Sequence, residues 1–211
     1  MYLSRLILNP RHRQVQRELA DPYQLHRTIM AAFPDDLPPE ERVLFRVDGD
    51  RGAPALLVQS QGEPDWEHLG APGDRSYLRP SSAPNPAVKR LSLDLARGQH
   101  LRFRLRANPT VKRAGKRQGL YRLEEQLAWI RRKAHLSGFG VVEVWPTQEG
   151  KDTALIHGGT QTHHVTLLAV RYDGILTVRD PDRLAAAVRD GIGPAKGLGF
   201  GLLSLAPVRR T

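Results

Sequence analysis

Leu101-Arg-Phe-Arg-Leu-Arg-Ala107 alternates apolar and cationic side chains without a break, and this stretch decides how the chain divides. A period of two belongs to a half-buried strand. Leu101, Phe103 and Leu105 fall on one face, while Arg102, Arg104 and Arg106 share the other. Asn108-Pro109 closes the strand. The order of elements that follows it repeats the order that precedes it.

Upstream, residues 2–8 read as a strand ended by Asn9-Pro10. Residues 11–20 are basic and fit either a short helix or a loop. Asp21 is the N-cap of a cleaner helix with Pro22 at its first position. Leu25, Ile29, Ala32 and Phe33 form its buried stripe, and Pro34 stops it. Residues 42–48 and 53–61 are strands joined through Gly49-Asp50-Arg51-Gly52. A single helical turn at 64–69, an irregular loop at 70–88 and an alternating strand at 90–95 complete the set. Strand, helix, strand, strand, short helix, strand is the order of a ferredoxin-like unit.

Downstream of 101–107 come a basic loop at 110–119 and a helix over 121–137. Leu123, Leu127, Ile130 and Ala134 are its stripe, and Gly138 sits where a helix C′ glycine belongs. A strand at 140–145, a hairpin of 151–156 with 161–172, and a tight turn at Asp173-Gly174 leading to 175–178 follow. Asp180-Pro181 caps a helix through Val188, and a strand at 202–206 ends the set. The expectation is an α+β protein of two tandem ferredoxin-like (RRM-like) domains, residues 1–97 and 98–211. Their antiparallel sheets carry helices on one face.

Composition narrows the function. The 211 residues carry a formal net charge of +10 and no cysteine. Disulfides, thiol catalysis and cysteine-held metals are excluded. No apolar run approaches the roughly 18 residues of a membrane span, and the N-terminal stretch does not read as a signal peptide. The expected location is the cytoplasm, with no membrane partner. Arg97, Arg102, Arg104, Arg106, Lys112, Arg113, Lys116 and Arg117 fall in a window free of acidic residues. Such a run reads as a polyanion-binding surface, nucleic acid first.

Three groups are candidates for chemistry. Tyr23 and His26 lie three apart on one helix side, at the flank of the buried stripe. An imidazole titrating near neutrality suits proton transfer, although a Tyr-x-x-His pair more often only packs a helix edge. Arg189-Asp-Gly-Ile-Gly-Pro-Ala-Lys-Gly-Leu-Gly-Phe-Gly-Leu-Leu-Ser-Leu-Ala-Pro207 is the second. Its glycines follow a helix and precede a strand, the reverse of a nucleotide-binding fingerprint. It is either a long flexible turn or a loop whose N–H groups meet an anion. His157, His163 and His164 are the third. Adjacent strand residues point to opposite faces, so these are hairpin surface residues and no metal site is expected.

Met1-Tyr-Leu-Ser, Tyr23-Gln-Leu-His26, Phe103-Arg-Leu-Arg-Ala-Asn-Pro109 and Gly191 to Pro207, in this order and at these separations, resemble the CasE family (also called Cse3). These are the CRISPR RNA-processing endoribonucleases of type I-E systems. The resemblance implies tandem ferredoxin-like domains that bind the CRISPR repeat stem-loop and cut at the base of its stem. It implies a metal-independent, cofactor-free attack of a 2′-hydroxyl on the adjacent phosphate, after which the enzyme stays with mature crRNA among the other Cascade subunits. It places catalysis on His26 assisted by Tyr23. Some relatives carry a lysine shortly after that histidine where this chain has Ala31, which leaves Arg27 the nearest cation. Arg102, Arg104, Arg106, Lys112, Arg113, Lys116 and Arg117 would grip RNA phosphates, with Gly193, Lys196, Gly197 and Gly199 against the RNA. The other readings are a non-catalytic RNA-binding subunit, and a basic ribosome-associated or DNA-binding protein.

Overall fold

The computed structural model describes residues 1–38, 41–49, 52–70, 77–158 and 161–208, with 155–158 and 161–163 described by backbone alone. The chain forms two compact units. One comprises Met1–Ser92, Thr153–Val165 and Gly197–Gly199; the other comprises Leu93–Asp152, Thr166–Lys196 and Phe200–Thr211.

In the first unit, β1 (Tyr2–Ile7), β2 (Leu44–Asp48), β3 (Ala55–Ser60) and β4 (Ala87–Arg90) form an antiparallel sheet in the order β2-β3-β1-β4. Helices α1 (Arg13–Ala20) and α2 (Pro22–Met30) cover one face. One residue makes the corner between them. Asp21 closes α1 through its N–H to Arg17 O at 3.0 Å, and its carboxylate opens α2 by accepting from Tyr23 N at 3.1 Å. The stripe Leu25, Ile29, Ala32 and Phe33 is buried as the spacing predicts, against Leu6, Phe45, Leu56 and Val58 of the sheet. A 3-10 turn at Glu67–Gly70 stands where the second ferredoxin-like helix would be. Beside it, Trp66 donates from Nε1 to the buried Ser4 Oγ at 3.1 Å.

The expected strand at 90–95 is instead Ala87–Arg90. Its ladder runs from Arg5↔Ala87 to Tyr2↔Arg90, and Leu91 N–H makes a last bond to Met1 O. Leu93 and Leu95 lie past the end of that ladder, so their alternation does not make a strand. The turn expected at 49–52 and the loop at 70–88 lie partly outside the described residues.

The second unit contains β5 (His100–Ala107), α3 (Leu123–Leu136), β8 (Phe139–Gly158), β9 (Gln161–Val178), α4 (Pro181–Asp190) and β10 (Leu203–Pro207), after a small hairpin, β6 (Thr110–Arg113) with β7 (Lys116–Gly119). The sheet order is β10-β5-β9-β8. Both sheets therefore have the strand order of a ferredoxin-like fold, as the repeated pattern predicts.

Three expectations for this unit need correction. The basic stretch at 110–119 is a hairpin rather than a loop, turned by Ala114 (φ 47°) and Gly115 (φ 77°). Two left-handed residues in succession fit the right-handed strand twist. Asp173-Gly174 is no turn but lies within β9, where Gly174 pairs with Phe103. A β-carbon on Gly174 would collide with Glu143 O and approach Phe103 Cε1 to 2.8 Å, so this glycine serves close packing. Finally, the expected stripe of α3 holds at Ile130 and Ala134 but not at Leu123, which is 52% exposed, and Gln126 and Trp129 join the buried face. The buried Gln126 side chain donates from Nε2 to Leu120 O at 3.0 Å, and the residue's backbone carbonyl accepts from the Tyr172 hydroxyl at 3.3 Å.

Asp180 caps α4 by accepting from Arg183 N at 3.1 Å, and Gly191 ends it. Gly138 (φ 76°) is the C′ residue of α3, where a β-carbon would come within 2.6 Å of Asp180 O. Among the described residues no helix is long and apolar enough to cross a membrane.

Candidate functional site

His26 is set by its helix. With Leu25 and Ile29 buried, position 26 falls at the rim of the packed face, and its side chain is half-buried. The ring stacks on Phe45 of β2, with centroids 6.2 Å apart and planes 16° from parallel. Nδ1 is buried with no hydrogen-bond partner among the described residues. The imidazolium needs acceptors for both N–H groups, and a buried unpaired donor is costly. Burial therefore holds the His26 pKa below its ordinary 6.5 and favours the neutral ring.

The opposite edge of that ring meets the glycine stretch. A β-carbon built on Gly197 would lie 3.7 Å from His26 Nε2 and 3.8 Å from Cε1, so this edge of the imidazole faces bare backbone. Gly199 (φ 82°) lies as close to Phe45, its β-carbon position 3.1 Å from the ring. The loop thus embraces the Phe45–His26 stack, a contact no sequence pattern announced.

Tyr23 is half-buried on the same side of α2, its N–H held by Asp21. Arg27 is exposed and reaches Gln24 Oε1 at 3.4 Å. Arg27 and Ala31 line a cavity with Arg17, Glu18, Thr28 and Tyr77. Glu18 is a buried carboxylate that sequence reading missed. It accepts from Tyr77, from Thr28 at 2.6 Å and from Gln14 at 2.8 Å, tying α1 to α2 behind the histidine. No sequence signal marks it, because its Tyr77 partner lies 59 residues away.

In the second unit the three strand arginines part company. Arg102 is exposed. Arg104 meets Asp173 at 2.6 Å, and Arg106 meets Glu149 at 2.7 Å and Asp152 at 2.9 Å. Arg171 bridges the two clusters, 3.2 Å from Glu149 and 3.0 Å from Asp173. Burial alone would lower the Arg106 pKa, but the carboxylates of Asp152 and Glu149 outweigh it and the net direction is up. Arg106 also lies over the Phe200 ring, 4.5 Å from its centroid. Cross-strand register explains these pairs: Arg104↔Asp173 and Arg106↔Arg171 are direct neighbours on β5 and β9.

The hairpin behaves differently. Lys112 pairs across the ladder with Arg117, and Arg113 with Lys116, so like charges stand directly opposite one another. Such pairs destabilise a ladder on their own. All four side chains are exposed, and Arg113 has a distant carboxylate in Glu125 at 3.5 Å. Gly193 (φ 92°) packs its backbone against Trp129, where a β-carbon would sit 3.3 Å from the ring. Lys196 begins a 3-10 turn, Lys196–Leu198. His164 is exposed, while the side chains of His157 and His163 lie outside the described residues. Among the described residues no three His, Cys, Asp or Glu side chains converge as metal ligands would.

Of the two ferredoxin-like units, the first carries a half-buried imidazole edged by glycine backbone and the second a basic hairpin of like charges. The model of the CRISPR associated protein family matches residues 1–207. The chain is 40% identical over 223 aligned residues to the CRISPR-associated endoribonuclease Cse3 of Thermus thermophilus, covering 98% of this chain and all of the relative. It is 30% identical to the Cascade subunit CasE of Escherichia coli K12, covering 99% of this chain and all of that one. The solved structure of Thermus thermophilus Cse3 bound to an RNA representing a pre-cleavage complex superposes with a TM-score of 0.83, at 38% identity and 98% coverage of both chains. This chain belongs to the CRISPR-associated protein family, in its Cse3/CasE branch.

Proposed function

We propose that this protein is a CRISPR repeat-specific endoribonuclease that binds the stem-loop of precursor crRNA and cuts at the base of the stem. Full-length relationship to an endoribonuclease and to a Cascade subunit supports the activity and the assembly with other Cascade subunits. The observation that carries the chemistry is the His26 ring, held neutral by burial with its Nε2 edge against the bare backbone of Gly197.

The reaction is a metal-independent transesterification without a cofactor. The 2′-oxygen attacks the adjacent phosphorus as its proton leaves, the bond to the 5′-oxygen breaks, and that oxygen takes up a proton. The products are a 2′,3′-cyclic phosphate and a 5′-hydroxyl, and no water is consumed. A neutral imidazole can accept the 2′-proton. Tyr23, one helical turn earlier, orients the reacting oxygen or shares the proton work. Gly197 and Gly199 let the strand approach the ring closely. Arg27 is the nearest cation on α2 in place of the lysine of some relatives.

Arg102, Lys112, Arg113, Lys116, Arg117, Gly193 and Lys196 hold the RNA backbone, because an A-form stem is recognised mainly by shape and phosphate. Arg104 and Arg106 join them only by exchanging their carboxylate partners. The proposed division at residues 97 and 98 assigns the imidazole to the first domain and the hairpin to the second. The setting is the cytoplasm, where the precursor transcript is made.

The test is incubation with the repeat stem-loop in EDTA. Cleavage that is lost with a 2′-deoxy nucleotide at the scissile position and lost in His26→Ala, with RNA binding retained, is the expected result. Tight binding without cutting would identify a non-catalytic RNA-binding subunit instead.

A further inference from the structure

Glu18 is only 5% exposed, and the chemistry above gives it no task. Its carboxylate accepts from Thr28 Oγ1 at 2.6 Å, from Gln14 Nε2 at 2.8 Å and from the Tyr77 hydroxyl. These three bonds reach different places. Gln14 lies one turn back on α1, so its bond stays within that helix. Tyr77 is 1% exposed and is tied to the chain just past β1, where its carbonyl accepts from Asn9 N–H at 2.9 Å. Thr28 belongs to α2, the helix that carries Tyr23 and His26.

Thr28 and His26 stand on opposite flanks of α2, about 200° apart round its axis. Between them runs the buried stripe of Leu25 and Ile29. Apolar burial is non-directional, so the stripe alone lets the helix roll a little about its axis. A short hydrogen bond with a narrow range of angles does not. Any roll that stretched the Thr28–Glu18 bond would carry the imidazole across Phe45 and shift its edge against Gly197. Thr28 is held a second time through its backbone. At the end of α2 the Ala32 N–H bonds Ile29 O at 3.1 Å, and the Thr28 carbonyl accepts from His68 Nε2 at 3.2 Å. Side chain and carbonyl of this one residue are therefore both fixed from outside the helix.

We infer that Glu18 is a positioning residue for cleavage: through Thr28 it sets the rotation of α2, and so the place of the His26 ring between Phe45 and Gly197. This rests on the endoribonuclease reading and deepens it by naming what holds the imidazole in register. The carboxylate itself touches neither RNA nor the reacting atoms.

The test uses two readouts on the full chain. In the free protein, NMR signals of the His26 ring protons, assigned by their loss in His26→Ala, report the ring's place over the Phe45 face without any RNA. In single-turnover cleavage of the repeat stem-loop, the rate at saturating protein is separated from the half-saturating concentration. Thr28→Val keeps the shape and removes the hydroxyl. Glu18→Gln leaves one acceptor oxygen for three donors. Both variants are expected to move the His26 signals and to slow saturated cleavage roughly tenfold, with half-saturation unchanged. The double variant should be no slower than the slower single one. Thr28→Ser keeps the hydroxyl and should restore both readouts. Gln14→Met removes a donor from Glu18 without touching α2, so it should lower the melting midpoint and leave signals and rate at the wild-type values. Wild-type signals and rate in Thr28→Val would overturn the inference. So would equal slowing in Gln14→Met, which would mark lost stability, and so would additive losses in the double variant, which would mean that Glu18 and Thr28 act separately. If Glu18→Gln fails to fold, Thr28→Val against Thr28→Ser still decides. If the wild-type protein does not cut the stem-loop, the endoribonuclease reading fails while the ring signals still judge the clamp, so the two failures are distinguishable.

Discussion

A histidine on a helix rim becomes useful when its protonation state is fixed before the substrate arrives. At His26 that is done by Phe45 against one ring face and a buried Nδ1 without a partner, which together disfavour the charged form. The direction sets a pH dependence. A group acting as a base works deprotonated, and a pKa below 6.5 means that the deprotonated form already dominates at neutral pH. The kcat/KM for stem-loop cleavage should therefore rise with pH along a limb whose midpoint lies below 6.5, then level off. A profile that only falls as pH rises through that range would make His26 the acid in the free enzyme and sink the assignment of the 2′-proton to it. The same shift links to stability. The unfolded chain binds a proton more readily than the native one, so the contribution of this site is complete above 6.5 and is lost as pH falls below it.

At the scale of elements, glycines mark where backbone geometry or close packing decides the fold. Gly174→Ala places a methyl group against Glu143 O and within 3.0 Å of Val144 Cα, in the middle of β9. Overpacking of this kind costs roughly 1–3 kcal/mol, and a lowered urea midpoint with an unchanged m-value should report it. An unchanged midpoint would mean that Gly174 has room after all. The β6–β7 turn makes the opposite prediction. Ala114 holds φ 47° without the tolerance of asparagine for that region. Ala114→Asn should slow hydrogen exchange of the hairpin amides; faster exchange would speak against the turn type. These two sites also show what the sequence could and could not convey. Helix caps at Asp21, Asp180 and Gly138 were legible because each depends on near neighbours. Gly174 was not, since Asp-Gly signals a turn locally and only pairing with Phe103 reveals a strand. Part of the core face of α3 was hidden because a polar Gln126 reads as solvent-facing until its Nε2 finds the Leu120 and Tyr121 carbonyls. His26 and Tyr23 could be singled out, but the glycine loop against the ring is a contact across about 170 residues of chain, beyond any periodicity.

For the whole molecule, a net charge of +10 says little until it is known which cations are already spoken for. Asp173, Arg171, Glu149 and Asp152 join Arg104 and Arg106 in one alternating network on the second sheet. Three arginines and three carboxylates cancel, so the net positive charge comes from cations outside this network, the hairpin among them. Removing a charge from the network and removing one from the hairpin should then have different consequences. Arg106→Met takes the guanidinium from Asp152, a mostly buried side chain, while Glu149 keeps Arg171 at 3.2 Å. Stranding one partly buried carboxylate costs roughly 2 kcal/mol at this depth, less than the full penalty of a deep interior. The expected phenotype is a lower thermal midpoint with the salt slope of RNA binding intact. Lys112→Gln or Arg117→Gln removes one of two like charges opposed across a ladder, so stability should hold or rise slightly. The salt slope should fall by about one per substitution, because that slope counts the phosphates a protein neutralises. Measuring melting and salt dependence on the same three variants separates cations that hold the fold from cations that hold RNA. If Arg106→Met flattened the slope and left the melting unchanged, the carboxylates would be yielding Arg106 to the RNA. The network would then be a store of phosphate ligands rather than a neutral face.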